Sequence, residues 1–204
     1  MKVLLINGSP HATGNTYTAL NHMAETLRSE GLEAEILHIG MRAVQGCIGC
    51  FSCAETGHCA FGDPLYTMFE AKIRECDALV VGSPVYYAGP NGSLCALLDR
   101  LFFASGRHLQ YKPATAVAVC RRGGATATLD RLNKYFTINN MPVVSSQYWN
   151  MAHGRTPGEV TEDGEGMQTL RTLARNMAWM LRKIAADGTP APAPEERIAT
   201  NFIR

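Results

Sequence analysis

The segment that most limits what this chain can become is Val3-Leu4-Leu5-Ile6-Asn7-Gly8-Ser9-Pro10-His11-Ala12-Thr13-Gly14-Asn15-Thr16, an apolar strand that breaks into a hydroxyl-rich glycine loop and opens a helix. A strand that turns straight into a helix presents the unpaired N–H groups of the first helical turn, and their partial positive charge favours a dianion. Ser9, Thr13, Asn15 and Thr16 can add short side-chain donors. The loop has neither the Gly-Lys-Ser/Thr of a P-loop nor the Gly-x-Gly-x-x-Gly of a dinucleotide turn. It therefore suits a lone terminal phosphate better than a triphosphate or a pyrophosphate. Taken alone, it fits equally well an ordinary polar turn with Ser9 or Thr13 as helix cap.

The rest of the chain repeats the same alternation. Strand-like runs at Val3 to Asn7, Glu33 to Ile39, Ala78 to Ser83, Ala114 to Cys120 and Pro142 to Ser145 alternate with helix-like runs at Thr16 to Glu30, Pro64 to Cys76, Asn91 to Phe103 and Ala125 to Asn140. A last helix is expected from about Glu165 to Ala186. Strands this apolar are buried on both faces, so the expected fold is α/β, a doubly wound parallel sheet of five strands. With 204 residues, 46% of them hydrophobic, the chain suits one domain over residues 1–188, with a cysteine-rich insertion at 40–63 and an extended tail at 189–204. The loops Gly8 to Thr16, Pro84 to Asn91 and Arg121 to Gly124 follow the first, third and fourth strands, where such sheets bind ligands, and are expected to meet in one crevice.

In the last helix Met167, Leu170, Ala174, Met177, Leu181 and Ile184 form one apolar seam, expected to pack on the chain's own sheet. The tail, opening with Thr189-Pro190-Ala191-Pro192-Ala193-Pro194, cannot continue that helix, and its apolar Ile198, Phe202 and Ile203 suggest docking, here or on a second subunit. A net charge of +1 with no basic stripe gives no reason to expect nucleic acid or an anionic membrane as partner.

The chain begins directly with strand-like sequence and has no apolar run of membrane-spanning length, which suggests a cytoplasmic protein. There its seven cysteines would serve metal or redox chemistry rather than disulfides. Cys47, Cys50, Cys53 and Cys59 have the spacing C-x2-C-x2-C-x5-C. Three close ligands and a fourth after a short loop suit an iron–sulfur cubane, while a structural zinc and free or redox-active thiols remain alternatives. Cys76, Cys95 and Cys120 fall at core-like positions and are expected to pack.

Gly8-Ser9-Pro10 with Gly14-Asn15-Thr16, Ser83-Pro84-Val85-Tyr86 with Leu98-Asp99-Arg100, and Gly123-Gly124 stand in order on the expected strands and helices. In these motifs the chain resembles the flavodoxin-like NAD(P)H-dependent FMN reductase superfamily over essentially its whole length. The resemblance implies FMN, its phosphate on Ser9, His11, Thr13, Gly14, Asn15 and Thr16, and its ring between Pro84, Val85, Tyr86, Tyr87, Ala88, Gly89 and Arg121, Arg122, Gly123, Gly124. His11 stands where many relatives carry arginine. Asp99 and Arg100 are expected to serve helix-end packing and ion pairing.

The cysteine spacing, Asp63 and Gly166-Met167-Gln168 are similar to the iron–sulfur flavoprotein branch. That likeness implies a [4Fe–4S] cluster on Cys47, Cys50, Cys53 and Cys59, with electrons entering from ferredoxin. The activity so implied is transfer of electrons from NADPH or NADH through FMN to a small acceptor, with no side chain required as acid or base. The alternative is an electron-transfer protein between ferredoxin, cluster and flavin. A homodimer or homotetramer is expected to complete the flavin site.

Overall fold

The computed structural model describes residues 1–193, 195, 196, 198–200 and 202. The sheet contains β1 (Lys2–Asn7), β2 (Glu33–His38), β3 (Ala78–Tyr86), β4 (Gly89–Pro90), β5 (Ala114–Cys120) and β6 (Met151–His153). Five strands run parallel in the order β2-β1-β3-β5-β6, and β4 folds back antiparallel on the end of β3. The helices are α1 (Asn15–Ser29), α2 (Ser52–Thr56), α3 (Pro64–Glu75), α4 (Gly92–Ser105), α5 (Ala125–Thr137) and α6 (Gly164–Asp187). The strand order reverses between β1 and β3, so a crevice opens beyond their carboxyl ends.

The central strands are apolar because both of their faces are covered. In β1, Val3 and Leu5 pack with Leu20, Met23, Leu27, Leu170, Leu173 and Met177 of α1 and α6. Leu4 and Ile6 point the other way, into Phe69, Leu97, Leu101 and Phe136 of α3, α4 and α5. The seam of α6 is thus spent on the chain's own sheet, from Met167 to Leu181, while Ile184 at its end is half exposed.

The expected fifth strand at Pro142 to Ser145 is replaced by two shorter attachments. Near the start of β5 there is a single parallel bridge from Val143 to Ala114, with Val144 N donating to Ala114 O at 2.8 Å. The chain then leaves the sheet and returns as β6, beside Ala118 to Cys120. The cause lies in α6. Asn176 Nδ2 donates to Ser145 O at 2.9 Å and Ser146 Oγ donates to Thr169 O at 2.7 Å, so this stretch is held by the helix rather than by the sheet. Tyr148 and Trp149, with ring centroids 4.9 Å apart, form the exposed bow between the two attachments.

A second departure is at Pro84 to Asn91, expected as an open loop. β3 runs on to Tyr86 and returns through a two-residue turn in which Tyr87 and Ala88 both adopt left-handed φ, 50° and 57°. In the tail, Ile198 and Phe202 are exposed, so neither docks on this chain, and Ile203 lies outside the described residues. Among the described residues no helix is long and apolar enough to cross a membrane.

Candidate functional site

The crevice is about 500 Å³, within the range usual for small-molecule sites. Ser9, His11, Thr13, Gly14, Asn15 and Thr16 line one end, Pro84, Val85 and Tyr86 one wall, and Arg121 the other. Its phosphate-sized end is built by the turn out of β1. Asn7 Oδ1 accepts from Ser9 N at 3.1 Å, Ser9 Oγ accepts from His11 N at 3.0 Å, and His38 Nε2 donates to Ser9 O at 2.8 Å. These bonds fix the loop from within.

The start of α1 is left open. Gly14 is its N-cap, no side chain caps the first turn, and no acidic residue stands in that turn. Its first-turn N–H groups, with no side chain to cap them, are donors in search of an acceptor, as a phosphate site requires. The Asn15 amide is already engaged: it donates to Thr156 O at 2.9 Å and accepts from Val160 N at 3.4 Å. Asn15 is therefore a tie to the loop after β6, and the open donors are chiefly backbone N–H and hydroxyl groups.

The remaining expected contacts lie outside this lining. Tyr87 is fully exposed at the hairpin tip, with Ala88 and Gly89 beside it, and Arg122 and Gly123 are exposed. Gly124, with φ +91°, lies beneath the hairpin, where an added Cβ would be 2.7 Å from Ala88 Cα and 2.9 Å from Val85 Cγ1. Gly124→Ala is expected to cost about 2–3 kcal/mol in urea denaturation, combining left-handed strain with overpacking. It should also push the hairpin wall, which a shifted flavin-binding titration would report.

Val119, Cys120, Gly154, Arg155 and Pro157 complete the lining and were not foreseen. Arg155 brings a second arginine, besides Arg121, to the lining of the crevice. Its loop is pinned by Glu159, whose Oε2 accepts from Arg155 N and Thr156 N, both at 2.6 Å. Those bonds hold the Glu159 carboxyl below its usual range. The signal was His153-Gly154-Arg155-Thr156-Pro157-Gly158, a fourth glycine-containing strand-to-helix loop, hidden by placing the last strand too early.

A second site lies in the insertion. Cys47, Cys50, Cys53 and Cys59 all line one small apolar recess of about 20 Å³, together with Phe51, Phe61, Phe103 and Arg100. Gly49, Phe51 and Gly57 take left-handed φ, which lets the loop curl back on itself. The Cys50 thiol is pulled down by the hydroxyl of Ser52, whereas Cys53 is pushed up, first by burial and then by the neighbouring thiols. Among the described residues no three His, Cys, Asp or Glu side chains group tightly enough for one metal ion. Four thiols on one recess supply the donor chemistry that thiolate-bound metals and iron–sulfur clusters use.

Behind the recess, Asp63 caps α3 by accepting from Tyr66 N at 3.0 Å. Glu70 Oε1 accepts from Ser105 Oγ at 2.6 Å, His58 Nδ1 at 3.0 Å, Arg74 at 3.1 Å and Tyr66 Oη at 3.3 Å. Burial opposes the Glu70 charge, but these donors prevail and hold the carboxyl down at about 2. His58 thus braces Glu70, and His153 donates to Asp163 at 3.0 Å, the N-cap of α6. All seven cysteines are free, with Cys76 and Cys120 buried and Cys95 half-buried.

The sequence model of the family described as NADPH-dependent FMN reductase matches residues 1–156. An iron–sulfur flavoprotein of Methanocaldococcus jannaschii is 33% identical over 192 residues, covering 90% of this chain and 99% of the relative. One from Archaeoglobus fulgidus is 32% identical over 190 residues, covering 90% and 92%. The crystal structure of RosB with a bound flavin-derived intermediate superposes with a TM-score of 0.70 at 17% identity, covering 100% of this chain and 94% of that one, which speaks to the fold. The chain belongs to the NADPH-dependent FMN reductase family, in its iron–sulfur flavoprotein branch, and is a flavin-dependent oxidoreductase.

Proposed function

We propose that this protein binds FMN in the crevice and passes electrons from NADPH or NADH, or from ferredoxin, to a small acceptor such as a flavin, quinone, azo or nitro compound, or oxygen species. The observation that carries this reading is the uncapped start of α1, opening into a crevice walled by the β3 hairpin and Arg121. Ser9, Thr13 and Thr16 with the N–H groups of the first turn would hold the phosphate, joined by His11, Gly14 and Arg155. Pro84, Val85 and Tyr86 would flank the ring, and Arg121 would offset negative charge gained on reduction.

When bound, FMN exchanges a hydride for single electrons, so the side chains need only hold it and expose one face. Tyr87 to Gly89 and Arg122 to Gly124 then act from the rim or from beneath the wall. The open rim suits completion by a second copy of the chain in a homodimer or homotetramer. Free thiols throughout fit a reducing compartment such as the cytoplasm. Residues 1–188 form the working domain in this reading, with 189–204 as an extension.

The ring of Cys47, Cys50, Cys53 and Cys59 favours a [4Fe–4S] cluster on these residues and, with it, the second reading of an electron-transfer protein. Flavin, iron and acid-labile sulfide should be measured per chain on anaerobically purified protein, followed by reduction with NADPH, NADH and reduced ferredoxin. About one flavin with about four irons and four sulfides is expected, as one cubane requires. Flavin without iron would leave a reductase with free thiols, and protein without flavin would overturn the proposal.

A further inference from the structure

Among the described residues Arg100 is the largest fully buried side chain. It projects from the middle of α4, not from a helix end, into the wall of the cysteine recess. Its guanidinium grips the insertion on both sides of the cysteines. One terminal nitrogen donates to Gln45 O at 3.3 Å and lies 2.7 Å from Asp63 Oδ2, and the other donates to Phe61 O. The ring of Tyr66 lies 4.6 Å from the guanidinium carbon. The Nε–H points at Cys59 Sγ, 3.3 Å away.

Burying a guanidinium costs several kcal/mol unless its charge is answered. Among the described residues its only carboxylate is Asp63, whose side chain is 40% exposed, and its other partners are carbonyl oxygens and a sulfur. An uncharged side chain could fill the same space without that cost. What the cation adds is a fixed N–H and a positive field at one sulfur of the ring. Outer donors of this kind orient metal ligands and tune the group they hold. A donor and a positive charge beside a thiolate favour the more reduced, more negative state of a cluster.

We propose that Arg100 is the positioning residue of the cysteine site: it clamps both ends of the cysteine loop and, through Nε–H on Cys59 Sγ, retains a [4Fe–4S] cluster and raises its reduction potential. The inference rests on the cluster reading above. Lysine can make neither the fork nor the aimed Nε–H, so Arg100→Lys keeps a charge of the same sign while losing both. Asp63→Asn leaves Arg100 in place, preserves a helix-capping residue and loosens one anchor.

The test compares wild type, R100K and D63N after anaerobic purification, with flavin content and thermal unfolding as checks on the fold. Iron loss to a chelator is expected to be about 10–100-fold faster in R100K, the usual penalty for losing an outer partner, and several-fold faster in D63N. A redox titration followed by the cluster's spectrum should show a lower potential in R100K, a shift that loosened packing alone would not produce in a fixed direction. R100K with wild-type flavin content, chelation rate and potential would overturn the role of Arg100 while leaving the cluster reading intact. If R100K does not fold, D63N decides: an unchanged chelation rate overturns the clamp. Wild type without iron would overturn both readings together.

Discussion

Replacing Gly14 with Asp is expected to weaken FMN binding at least about 100-fold while making the flavin-free protein slightly more stable. Both effects come from the same N–H groups. Gly14 already has extended backbone angles, φ −78° and ψ −175°, which suit an acidic N-cap, and its Cβ would meet only the His11 Cβ at 3.3 Å. An aspartate there would accept from the first turn of α1 and complement the helix dipole, gaining up to about 1 kcal/mol. It would also place a negative charge where the phosphate is proposed to sit. Losing two charge-assisted hydrogen bonds at about 1.5–3 kcal/mol each accounts for a factor of 100 or more. Fluorescence titration with FMN and thermal unfolding of the flavin-free protein read the two signs separately. Unchanged FMN affinity would place the phosphate elsewhere.

Glu70→Gln is expected to destabilise the flavin-saturated protein by about 2 kcal/mol near neutral pH, because four donors then face an amide instead of a carboxylate. The pH dependence identifies the cause. A carboxyl at about 2 in the folded chain against an ordinary value of 4.5 contributes its full stabilisation above 4.5 and loses it as pH falls toward 2. Going from about pH 5.5 to about pH 3.5, wild type should therefore lose roughly 1 kcal/mol that the variant does not. Urea unfolding at the two pH values checks this. Parallel losses in both proteins would show that the Glu70 charge is not what holds the back of the recess.

Much of this was legible in the chain. Val3 to Ile6 are buried on both faces, so an unbroken apolar run specified a central parallel strand. The loop at Gly8 to Thr16 could be read because the glycines and hydroxyls that form it are contiguous. The edge strand was misplaced because its backbone partners are shared between β5 and α6, and apolar Val143 and Val144 look like a strand whichever partner takes them. Arg155 was missed for the same reason. Arg100 was taken as a helix-end charge because its partners, Gln45, Cys59, Phe61 and Asp63, lie some forty to fifty-five residues earlier. No local pattern carries such a contact.

The two margins of the sheet are closed to further strands by different means. On one side β6 is three residues long, behind the bow of Tyr148 and Trp149. On the other, β2 carries Glu35 between Lys2 and Lys72, each 2.8 Å away, so an approaching strand would have to strip a charged cluster of water. Short edges and charged edges are both defences against strand-to-strand growth. Growth by extension of the sheet is thus disfavoured, and concentrated protein should remain free of cross-β fibres.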